Sequence, residues 1–144
     1  VVFFAHQGAI DRAIALAKDN GINRGIVLPV SAPFHCPLMQ PAADDMASAL
    51  ATTTIHAPLV PLFANVTAAP VSDPDTISAQ LVQQVTGRVR WRESAIAMAE
   101  AGVTHFAEFG GKVLSPMVKR SAGEDIATSS VISMDDIEAL LKAI

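Results

Sequence analysis

Four histidines and one cysteine are the side chains of this 144-residue sequence best suited to proton transfer or covalent chemistry. His35 is set apart from the others by its surroundings, Ser31-Ala32-Pro33-Phe34-His35-Cys36-Pro37. Pro33 drives Ala32 out of helical angles and Pro37 does the same to Cys36, so the loop is stiffened on both sides of the imidazole. An imidazole with an unperturbed pKa of about 6.5 can take up and return a proton near neutral pH if its ring is held in one orientation. The residues leave two readings open: a catalytic base, or a structural histidine whose ring nitrogens bond nearby backbone. His6, His56 and His105 lack this framing, and packing or loop roles are the default for them.

Other clusters carry less. His35 and Cys36 are adjacent and diverge in an extended loop, and no second cysteine or close histidine pair completes a zinc pattern. Asp44-Asp45 and Asp135-Asp136 are paired only in sequence, since neighbours on a helix do not share a face. Gly110-Gly111-Lys112 ahead of a helix reads as a tight turn, or as an anion site built from backbone N–H groups. Arg88, Arg90 and Arg92 alternate around Val89 and Trp91. In an extended segment they would put three positive charges on one side, either a dock for an acidic partner or a solvated edge.

The elements that must position these residues alternate between short β-branched runs and longer helical stretches, the rhythm of an α/β layer structure. Strands are expected at 1–5, 25–30, 59–65, 103–109 and 131–132. Helices are expected over 8–20 with Gly21 as C-terminal cap, from between Pro37 and Pro41 through Leu50, and from Asp73-Pro74 to Gly87. Further helices are expected from Trp91 to Gly102, over 112–120, and after Ser133, whose spacing to Asp136 resembles a capping box. His35 then lies just beyond a strand's carboxyl end, where ligands gather in open α/β sheets.

Composition narrows the class. With 51% hydrophobic and 17% charged residues the chain has material for a core and is not a disordered segment. A net charge of −4 gives no global footprint for nucleic acid. Apolar runs are short and interrupted, so no membrane span is expected. The lone Cys36 excludes an intrachain disulfide and fits a reducing, cytoplasmic setting. The start at Val1-Val2-Phe3-Phe4-Ala5, without Met, reads as a truncated or processed chain.

Taken in order, Leu28-Pro-Val-Ser-Ala-Pro-Phe-His-Cys-Pro-Leu-Met, Gln40-Pro-Ala-Ala, Pro61-Leu-Phe-Ala-Asn-Val and Leu81-Val-Gln-Gln-Val resemble the malonyl-CoA:acyl carrier protein transacylase family. Val89-Arg-Trp and Phe106-Ala-Glu-Phe-Gly-Gly-Lys-Val-Leu continue the match. The loop around His35 is the most specific element, and the resemblance covers the C-terminal portion of that longer family. The segment Val1-Val2-Phe3-Phe4-Ala5-His6 departs from it, since a small polar residue and glycine usually follow the first hydrophobics there.

The resemblance implies an α/β fold: residues 1–30 as part of a ferredoxin-like small subdomain, and 31–144 as the C-terminal part of a hydrolase-like acyltransferase core. It implies that His35 is the catalytic histidine, that the backbone carbonyl of Gln84 orients its ring, and that Phe34 crowds α-branched acyl groups. The activity implied is malonyl transfer from malonyl-CoA to the phosphopantetheine thiol of acyl carrier protein, with no cofactor or metal. None of the serines present sits in a Gly-x-Ser-x-Gly elbow, so the nucleophile, and with it the N-terminal half of the fold, lies outside this chain, which alone would be inactive. Two alternatives stand beside this: an acyltransferase domain of a polyketide or multifunctional fatty acid synthase, and a non-catalytic module. The latter would hold carrier protein or coenzyme A through Arg88, Arg90, Arg92, Lys112, Lys119 and Arg120.

Overall fold

A computed structural model describes residues 2–144 as a mixed α/β chain of two compact units. One takes in the chain as far as Val60 and then Ser72–Val89; the other is Pro61–Val71 with Arg90–Ile144.

The first unit holds helices α1 (Gln7–Asp19), α2 (Gln40–Leu50) and α3 (Pro74–Thr86), with a 3-10 turn at Pro37–Met39 ahead of α2. Its helix ends follow local chemistry. Gly21 adopts φ 77°, which lets the Ile22 N–H reach the Ala17 carbonyl at 2.9 Å and the Gly21 N–H reach Lys18 at 3.1 Å, a Schellman closure of α1. At the start of α3, the Asp73 carboxylate accepts the Thr76 N–H at 2.8 Å, and Pro74 occupies the first helical position, where a missing N–H costs nothing. Helix α2 packs against α3, with Ala43 and Ile77 buried.

The strands expected at 1–5 and 25–30 do not form. Val1 lies outside the described residues, and neither 2–6 nor 22–30 carries a strand. A strand persists only where a neighbour takes its N–H and C=O groups, and no ladder partner reaches either stretch among the described residues. Their apolar side chains stay open to solvent, Phe3 at 75% and Ile26 at 63% exposure, and with α1 they line a groove of about 900 Å³.

In the second unit, β1 (Leu62–Phe63) pairs antiparallel with β2 (Pro70–Val71), so the strand expected over 59–65 shrinks to two residues. After helix α4 (Trp91–Glu100), β3 (His105–Phe109) runs parallel to β4 (Ala127–Val131), and α5 (Ser115–Ala122) is the crossover between them. Parallel neighbours need such a connection. Ala95 is fully buried on α4 and Val118 almost so on α5, where the two helices pack. The final strand, expected at 131–132, runs earlier and longer, because Ala127, Thr128, Ser129 and Ser130 pair in register with His105 through Glu108 despite their polarity. Helix α6 (Met134–Ala143) opens on the expected capping box of Ser133 and Asp136.

Candidate active site around His35

The loop between residues 31 and 36 is folded by short-range bonds on either side of its prolines. The Phe34 N–H reaches the Ala32 carbonyl at 3.0 Å, the Cys36 thiol reaches the Pro33 carbonyl at 3.1 Å, and the Met39 N–H closes on Cys36 at 3.0 Å to begin the 3-10 turn. Between these bonds His35 takes φ 54°, the left-handed region that few non-glycine residues enter. That strain is held in place by what the side chain does. The Nδ1 atom lies 2.9 Å from the main-chain carbonyl oxygen of Gln84. A carbonyl can only accept, so Nδ1 carries a proton, and in the neutral imidazole Nε2 presents its lone pair.

Gln84 is one of the last residues of α3, which ends at Thr86. Its carbonyl lies beyond reach of the helix's own N–H groups and carries part of the negative end of the helix dipole. The site is thus a helix C-terminus facing an imidazole on a proline-framed loop. His35 itself is exposed. Phe34 is 39% exposed beside it and meets the ring of Phe4 edge to face, with centroids 6.2 Å apart. Phe4 also stands at 6.3 Å from the imidazole, a contact that no spacing or motif signals.

The remaining candidates fall elsewhere. Arg90 is the N-cap of α4, where its guanidinium donates to the Thr67 carbonyl at 3.0 Å and pairs with Glu93 at 3.5 Å, while Arg92 follows it into the helix. The expected one-sided row of arginines in an extended segment does not form. The turn after β3 is occupied from within: the Glu108 carboxylate accepts the N–H groups of Val113 at 2.9 Å, Leu114 at 2.8 Å and Ser115 at 3.2 Å. This answers the question posed by Gly110-Gly111-Lys112, because an internal anion already sits where an external one would bind. It also delays α5 from the expected start at Lys112 to Ser115. Burial alone would raise the Glu108 pKa, but these three N–H donors and the Ser115 hydroxyl outweigh it and hold the carboxyl below its ordinary value. His105 spends Nε2 on the Ser129 hydroxyl at 2.8 Å between β3 and β4. Among the described residues no group of three or more His, Cys, Asp or Glu could hold a metal ion, and no helix is long and apolar enough to cross a membrane.

No protein-family model matches the chain. The malonyl CoA-acyl carrier protein transacylase of Escherichia coli K12 is 42% identical to it over 134 residues, which cover 92% of this chain and 43% of the relative. The chain is a homologue of part of the malonyl CoA-acyl carrier protein transacylases. The fold agrees: the crystal structure of the acyl-carrier-protein S-malonyltransferase from Bartonella henselae superposes with a TM-score of 0.88 at 47% identity, covering 94% of this chain and 43% of that one. A malonyl-transacylase solved in complex with a type II PKS acyl-carrier protein gives a TM-score of 0.88 at 31% identity over 96% of this chain and 45% of its own. The chain therefore spans less than half the length of the transacylases it matches.

Proposed function

We propose that this chain is the C-terminal part of a malonyl-CoA:acyl carrier protein transacylase, carrying the histidine but not the serine of a Ser-His dyad. The observation that carries the proposal is the bond from His35 Nδ1 to the Gln84 carbonyl, which leaves Nε2 available as the base. In the first half-reaction Nε2 takes the hydroxyl proton of the serine as its oxygen attacks the malonyl thioester carbonyl. The resulting imidazolium returns that proton to the departing coenzyme A thiolate. In the second, Nε2 takes the phosphopantetheine thiol proton as sulfur attacks the malonyl-serine ester, and gives it back to the serine oxygen. The Gln84 carbonyl stands where other serine enzymes use a carboxylate: it fixes the tautomer and favours the transient imidazolium through its partial negative charge.

In this reading Phe34 borders the acyl site and crowds an α-methyl group, a modest discrimination for one apolar contact. Residues 1–30 belong to a ferredoxin-like small subdomain and 31–144 to a hydrolase-like core, both completed by an N-terminal half that supplies the serine elbow. Support comes from the relatives' greater length and from the apolar side chains left exposed on both units, such as Phe3 and Ile26 on the first and Phe109, Val113 and Met134 on the second. In this reading the reaction needs no cofactor and takes place in the cytoplasm. The test joins this chain to an N-terminal segment bearing a Gly-x-Ser-x-Gly elbow and follows malonyl transfer to free acyl carrier protein. Transfer by the joined protein and none by the chain alone is the expected result. Carrier binding without transfer would favour a non-catalytic module.

A further inference from the structure

A single hydrogen bond leaves an exposed imidazole underdetermined. The contact at Nδ1 fixes one point of the His35 ring, which can still pivot about it or leave it for another rotamer. The second restraint is aromatic. Phe4 meets His35 edge to face, at 6.3 Å between centroids and 67° between planes, and meets Phe34 at 6.2 Å and 84°. Both arrangements are those in which the positive edge of one ring attracts the negative face of another. Phe4 is itself half-buried, and the groove it lines is walled by Pro33 of the same proline-framed loop and by Ile10 of α1.

We propose that Phe4 is a positioning residue for His35. Its ring grips two consecutive side chains of the strained loop step, so that the imidazole can neither rotate off the Gln84 carbonyl nor exchange its two nitrogens. The inference rests on the reading of His35 as the base, but it concerns the ring alone and is measured without turnover.

The experiment records the ring nitrogens of His35 by long-range proton–nitrogen correlation in the full 144-residue chain, as wild type and as Phe4→Ala, Phe4→Leu and Phe4→Tyr. The wild type is expected to show one tautomer, with Nδ1 protonated and Nε2 bare at alkaline pH. Phe4→Ala and Phe4→Leu should lose the ring-current displacement of the His35 carbon-bound protons and draw the two nitrogen shifts together. Phe4→Tyr, which restores the ring, should restore both signatures. Nitrogen shifts in the Ala and Leu variants equal to wild type would overturn the proposal, as would a wild-type ring already averaged between tautomers. General collapse of the amide spectrum in both variants would show a folding role instead and would equally overturn it. Retained acyl transfer by His35→Ala in the joined protein would remove the base role while leaving the Phe4 result standing, so the two failures are distinguishable.

Discussion

His35 Nδ1 and the Gln84 carbonyl oxygen, 2.9 Å apart and 49 residues apart in the chain, join a proline-framed loop to the last turn of α3. The acceptor belongs to the main chain, so replacing the Gln84 side chain leaves it in place. Gln84→Ala in the joined protein should therefore keep malonyl transfer within about tenfold of the parent, a barrier change of no more than about 1.4 kcal/mol. Steady-state transfer assays check this, and a loss as deep as that of His35→Ala would contradict the main-chain role.

Three carboxylates tie stability to pH in the same sense. Glu108 is held low because its N–H and hydroxyl donors outweigh burial; Asp136 is lowered first by the Ile132 N–H and then by the Ser133 hydroxyl; Asp73 is lowered by the hydroxyl and N–H of Thr76. Each pKa is lower folded than unfolded, so the unfolded chain binds more protons in acid. The stabilisation is complete above the unfolded carboxylate range, about pH 4, and is lost as pH falls through the folded values below it. Urea midpoints followed by circular dichroism should fall from about pH 4 downward, and Glu108→Gln should flatten that fall. A midpoint unchanged between about pH 5 and 3 would contradict the assignment.

Gly111 and Glu108 are coupled sterically. A Cβ at Gly111 would come within 2.7 Å of Glu108 Oε1, the same oxygen that accepts the Val113 N–H. Gly111→Ala should push the carboxylate off its donors and lower the unfolding midpoint. Once Glu108→Gln has weakened that cap, the added methyl has less to disturb. The double variant should be less destabilised than the sum of the two single changes, and strict additivity in a double-mutant cycle would show that the two residues do not interact.

The capping box of α6 is a purely local device. Ser133 accepts the Asp136 N–H at 3.2 Å while the Asp136 carboxylate accepts the Ser133 N–H at 3.0 Å. Ser133→Ala removes one half of it and should cost about 1 kcal/mol in urea unfolding.

What could be read from the sequence divides along the line between local and distant causes. The Schellman close at Gly21, the Asp73-Pro74 start of α3 and the Ser133 box of α6 depend on residues within one turn of each other, and all three are where their spelling puts them. Residues 25–30 spell a strand equally clearly, yet no strand forms, because a ladder needs a partner that these residues do not themselves encode. Ser129 and Ser130 show the converse: polar residues enter β4 because His105 and Ser115 satisfy their hydroxyls. At the candidate site, the two prolines single out His35 from the local sequence alone. Gln84 is marked only by the resemblance to a family, since a main-chain acceptor leaves no mark on residue type. Phe4 stands out in the sequence only as part of the segment that departs from the family, and its ring contacts carry no signal there, because contact across so long a stretch of chain follows from the fold.

His35 is proposed as the base of a malonyl transfer whose serine lies outside this chain. The most direct measurement compares the parent and His35→Ala in the joined protein, at saturating malonyl-CoA and carrier protein, after both show the same unfolding midpoint. Loss of general-base catalysis predicts a fall in transfer rate of about 10²–10⁴-fold. Transfer within a few-fold of the parent would contradict the account.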